Sequence, residues 1–125
     1  YTERFQAQLD EIDIDAAGPD VALEAFIGLY AEALVVGEQV CLCAILGAEA
    51  NSLPERINAG IRDFFEANVK WLSGVLERIR SPEKYLSPIE IVSALEGGMI
   101  VATVMQSQEA FDATAARILA NAKGG

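Results

Sequence analysis

Residues 52–79 read SLPERINAGIRDFFEANVKWLSGVLERI, and this stretch decides the fold class. Ile57, Ile61, Phe64, Phe65, Leu72, Val75 and Leu76 recur at the spacing that gathers side chains on one face of an α-helix. The opposite face alternates in sign through Arg62, Glu66 and Lys70, which suits a helix lying on a surface and supported by pairs four residues apart. Ser52 and Glu55 stand three apart with Pro54 between them, a capping-box pattern that predicts a helix from Ser52 to about Ile79. A strand needs strict apolar/polar alternation, and no stretch of this chain has it.

Working outward, the same period repeats. Upstream, residues 20–37 (DVALEAFIGLYAEALVVG) confine polarity to a thin line of Glu24, Gly28 and Glu32, the mark of a central helix that is apolar over most of its circumference. Gly18-Pro19-Asp20 separates it from a first helix striped by Tyr1, Phe5, Leu9 and Ile12, which ends near Asp13. Cys41 to Ala50 reads as a short helix of small residues. Downstream, residues 81–86 form a loop. Ser87-Pro-Ile-Glu90 is a second capping box opening a helix to about Gln106, and a last helix runs from about Gln108 to Ala122. The expectation is an all-α chain of about six helices, one domain over residues 1–125, without internal repeats.

Composition narrows the function. The 125 residues carry 19 acids against 9 bases, a net charge of −10, a field that repels phosphate backbones, so this chain alone is not expected to bind nucleic acid. Histidine is absent, which removes imidazole-dependent triads, the usual general base and the histidine ligands of a di-iron bundle. No nucleophile–base pair emerges, so the expectation is a protein that is not an enzyme and carries neither metal nor cofactor. Cys41 and Cys43, the only cysteines, point apart on a helix and cannot share a metal; reduced, intracellular thiols and a cytoplasmic setting follow. The longest uncharged run, 97–108, falls short of the ~20 apolar residues of a membrane span. The opening residues do not resemble a secretory signal, and a chain starting at Tyr1 is expected to be part of a longer product.

An apolar share of 52% leaves more greasy surface than one small core absorbs, and two constellations divide it. In the last two helices Ala94, Gly98 and Ala102 recur every four residues beside Ile91, Val101 and Met105. With the Phe111, Ala115 and Ile118 face they form either a four-helix seam between two copies, the favoured reading, or packing inside one subunit. The second constellation sets polar atoms in apolar stripes. Asn68 falls in line with Ile61, Phe64 and Leu72, and Thr103 lies one turn beyond Met99. A cavity ligand or a neighbouring helix can satisfy them equally well. Phe26, Tyr30, Phe64 and Trp71 would wall such a cavity, or simply fill the core. Cys41 is a small hydrophobe or a sensing thiol, and Glu96, midway along an apolar helix, is either an exterior position or part of a binding site.

Three stretches together resemble the C-terminal domain of the TetR/AcrR family of bacterial transcription regulators. Residues 40–49 (VCLCAILGAE) look like the family's GCLLGALAAE-type short helix. Leu53-Pro-Glu-Arg-Ile57 leads into a long helix with Phe64-Phe65 and Trp71-Leu72, and residues 91–99 (IVSALEGGM) look like its LxxxLEGAL helix. The resemblance implies a ligand cavity among the first, second, fourth and fifth helices and a homodimer through the last two. It also implies a DNA-reading helix-turn-helix upstream. A repressor-type sensor follows, in which a small hydrophobic or amphipathic effector governs DNA binding by that missing module. The alternatives are a structural helical dimer or adaptor without a ligand, and a thiol-based electrophile or redox sensor.

Overall fold

A computed structural model describes residues 2–36, 50–79 and 86–122, and no strand occurs among them. The helices are α1 (Thr2–Asp10), α2 (Ile14–Ala17), α3 (Pro19–Val36), α4 (Glu55–Leu76), α5 (Pro88–Met105) and α6 (Glu109–Ala122), with a single 3₁₀ turn at Ala50–Ser52. The fold is all-α. Both cysteines, most of the short helix expected over Cys41–Ala50, and the loop at 81–85 lie outside the described residues.

Local chemistry sets most of the boundaries. Asp13 accepts a hydrogen bond from the Ala16 amide at 3.1 Å and so caps α2, a one-turn helix that periodicity did not reveal. Gly18 ends it at φ 87°, a conformation that favours glycine, and Pro19 occupies the first position of α3, where a missing amide proton costs nothing. The capping box of α5 forms in both directions: the Ser87 amide donates to Glu90 Oε1 at 3.0 Å, and the Glu90 amide donates to Ser87 Oγ at 3.2 Å. These bonds to the ionised form hold the Glu90 carboxyl below its ordinary pKa.

The matching pattern at Ser52 does not mark the helix start. Ser52 lies in the 3₁₀ turn, α4 starts three residues later at Glu55, and Pro54 precedes it without a side-chain capping bond. At the far end α4 stops at Leu76, short of Ile79. Arg78 turns back to bond the Gly74 carbonyl and pairs with Asp15 at 2.8 Å, tying α2 to the end of α4.

α3 is central, as its thin polar line implies: it packs against α2, α4, α5 and α6. Ala22, Leu23, Phe26, Ile27 and Tyr30 are buried while Glu24, Gly28 and Glu32 are exposed. α1 lies on α4, and α5 and α6 form the most extensive pair. Gly98 lies at their contact, where an added Cβ would meet Phe111 Cα and Thr114 at the ordinary contact distance of 3.5–3.6 Å. The Leu86 amide, donating to Asn121 Oδ1 at 3.0 Å, ties the start of α5 to the end of α6.

This packing places most of the small-residue stripe inside one chain. Ile91, Gly98, Ala102, Phe111, Ala115 and Ile118 are buried between helices of one chain, and Ala94 is half-buried against the same core. Of the residues assigned to a seam between copies, only Val101 and Met105 are open to solvent, joined there by Val104. By length and composition α5 alone among the described helices is apolar enough to cross a membrane. It packs against α3, α4 and α6 of its own chain.

Candidate functional site

The aromatic side chains expected to wall a cavity instead fill the centre of the bundle. Phe5 from α1 meets Phe26, Tyr30 and Phe64 edge-on at centroid distances of 5.2–6.3 Å. Phe26 stacks on Trp71 at 5.5 Å and packs against Tyr30 at 5.1 Å. Contacts of this kind hold rings together as core. Met99 is fully buried with them. Asn68, also buried, donates from Nδ2 to the carbonyl of Phe64 in its own helix at 2.7 Å. Thr103 is exposed, and its hydroxyl donates to the Met99 carbonyl at 2.8 Å, so it does not reach the interior. Cys41 lies outside the described residues. Among the described residues, Phe26, Tyr30, Phe64, Asn68 and Met99 thus lie together in the core, with Trp71 half-buried at its edge.

Open volume of about 800 Å³ lies elsewhere, in a groove between α4 and α5. From α4 come Arg62, Phe65, Glu66, Val69 and Lys70; from α5 come Ile89, Val92, Ser93, Glu96, Gly97 and Ile100. Its walls are largely apolar, with the charges of α4 along one rim. Helical spacing produces this division: Phe65 and Val69 sit one turn apart, while Arg62, Glu66 and Lys70 follow the adjacent line toward solvent. A second, more polar recess between α1 and α4, near Trp71 and Arg78, holds about 590 Å³.

Glu96 is among the residues lining the α4/α5 groove, with only 7% of its surface exposed. Among the described residues, neither of its carboxyl oxygens has a hydrogen-bond partner of standard geometry. Burial pushes its pKa up to about 8, and the Tyr30 hydroxyl of α3, near enough to favour the charged form, opposes that rise only in part. At neutral pH the group is mostly a protonated acid. Periodicity left Glu96 undecided because α5 is apolar nearly all round. The informative signal is a lone carboxylate within the uncharged company of Ile91 to Met105, the type of residue that is rarely buried without a partner.

A neutral carboxylic acid beneath an apolar groove can donate one hydrogen bond and accept several, and when ionised it can hold a cation. No cluster of three or more potential metal ligands occurs among the described residues. Comparison with known protein families, curated proteins and solved structures gives no match, so the chemistry of the groove carries the functional reading.

Proposed function

We propose that this chain is a ligand-sensing helical domain whose effector is a small, largely apolar molecule held in the α4/α5 groove with a polar group against Glu96. The observation that carries this reading is the coincidence of an open apolar volume with a buried carboxyl group that has only the Tyr30 hydroxyl near it and no hydrogen bond of standard geometry. Such a pairing of apolar walls with one convergent polar group of shifted pKa suits a binding site. The resemblance of three sequence stretches to TetR/AcrR C-terminal domains supports the same role. In that setting the domain dimerises and a ligand controls a DNA-reading module, provided the ligand binds two arrangements of the dimer with different affinity.

α5 is the natural coupling element. One side of it lines the groove, and its last turns carry Val101, Val104 and Met105, exposed by 45%, 78% and 67%. An apolar end of this kind suits a second copy of the chain. A ligand seated between α4 and α5 would therefore press on the helix that faces the partner. The test is a thermal melt across a panel of small apolar and amphipathic compounds: a binder at 100 times its Kd adds about 2.7 kcal/mol of stability. No stabilisation by any compound would favour the second reading, a structural dimer or adaptor, which the exposed end of α5 supports on its own.

A further inference from the structure

We propose that the α4/α5 groove takes an apolar molecule bearing a basic nitrogen, seated as an ammonium on the Glu96 carboxyl group. This rests on the groove being the ligand site. Both Glu96 oxygens are without standard hydrogen bonds, the Tyr30 hydroxyl being the one donor that acts on them, and an ammonium supplies further N–H groups together with the opposite charge. A net charge of −10 draws cations toward the protein and repels anions. The rim does not reverse that preference. Arg62 pairs with Glu55 at 3.4 Å, and Glu66 stands four residues before Lys70 on the same line of α4.

The groups around Glu96 define its titration. From α3 the Tyr30 hydroxyl acts on it, while Glu24 and Glu32 face solvent; from α4 come Arg62, Glu66 and Lys70 at the groove rim. On α6 Glu109, Asp112 and Arg117 are exposed, and on α5 Glu90 is engaged in its capping box. Binding then exchanges one cation for another. In the free protein near neutral pH Glu96 holds its proton. When the ammonium enters, the carboxyl O–H bond breaks, the proton passes to solvent, and the carboxylate accepts hydrogen bonds from the ammonium, which keeps all of its own protons.

Isothermal titration calorimetry of the full chain tests this with decylamine (protonated throughout), decanol and decanoate, in buffers of differing protonation enthalpy. The expected result is saturable decylammonium binding that releases about one proton at pH 7 and tightens about tenfold per pH unit between roughly pH 6 and 8. Decanol should bind at least about tenfold more weakly at pH 8 and release none, and decanoate more weakly still. Glu96→Gln should abolish proton release and the preference for the amine while keeping decanol binding. Should that variant fail to fold, the proton count and pH slope of the unaltered chain decide the matter. Equal binding of decanol and decylammonium without proton release would overturn the amine assignment and leave the groove reading standing, as would decanoate binding best. Failure of all three probes to bind would overturn both.

Discussion

At the scale of one residue, Glu96 connects function to stability. Its folded-state pKa is raised from an ordinary 4.5 to about 8. Below about pH 4.5 it is protonated whether the chain is folded or not, and its contribution does not vary. Between 4.5 and 8 the folded state keeps a proton that the unfolded state has lost, so stability falls as pH rises through that window, and above 8 the loss is complete. Glu96→Gln removes this slope. The variant is expected to be more stable than the natural chain by up to about 3 kcal/mol at pH 7, with the difference vanishing near pH 4. Urea melts at several pH values measure it, and parallel pH profiles for the two proteins would contradict the burial of an uncompensated carboxyl group. A side chain that weakens its own fold in this way fits a binding role better than a structural one.

At the scale of elements, the α5–α6 hairpin shows what could be read in the sequence and what could not. Ser87 and Glu90 foretold the start of α5 because a capping box is a local device, independent of the rest of the chain. The same pattern at Ser52 misled, since the preceding 3₁₀ turn places that serine outside the helix. The face of α5 was less legible. A helix apolar nearly all round gives no side to its periodicity, so the Ala94–Gly98–Ala102 stripe was read as favouring a partner copy over α6, and Glu96 pointed equally outward and inward. Because Gly98 meets α6 at ordinary contact distance, Gly98→Ala is expected to keep the fold and to gain up to about 1 kcal/mol from helix propensity. Gly98→Leu should lose about 1–3 kcal/mol by overpacking, and equal melts for the two variants would contradict the packing. At the end of α5, Gln106 takes φ 54° in a Schellman turn, the Ser107 amide bonding the Ala102 carbonyl at 3.0 Å. Gln106→Gly should therefore add about 1 kcal/mol, and a destabilised variant would argue against the left-handed turn.

At the scale of the whole molecule, the all-α class, the central position of α3 and the acidic charge were legible, because charge and period are properties of the chain itself, whereas the one-turn α2 was not. Where the open space lies was not legible either. It depends on how rings from three helices meet, as where Phe5 packs edge-on against Tyr30 and Phe64. The apolar side chains left exposed near the end of α5 are Val101, Val104 and Met105, and the proposed dimer would use them. The double substitution Val104→Glu, Met105→Glu is expected to yield a monomer in sedimentation experiments while changing the stability of the single chain by about 0.5 kcal/mol or less. An unaltered dimer would place the interface elsewhere. The central claim, that the α4/α5 groove is the ligand site, is tested most directly by methyl-resolved NMR of the full chain titrated with decylamine and with decanol. Saturable shifts are expected at Val69, Ile89, Val92 and Ile100, with Leu23 and Ile27 beside the aromatic core unmoved; shifts centred on Leu23 and Ile27, or confined to Val101 and Val104, would contradict a ligand in this groove.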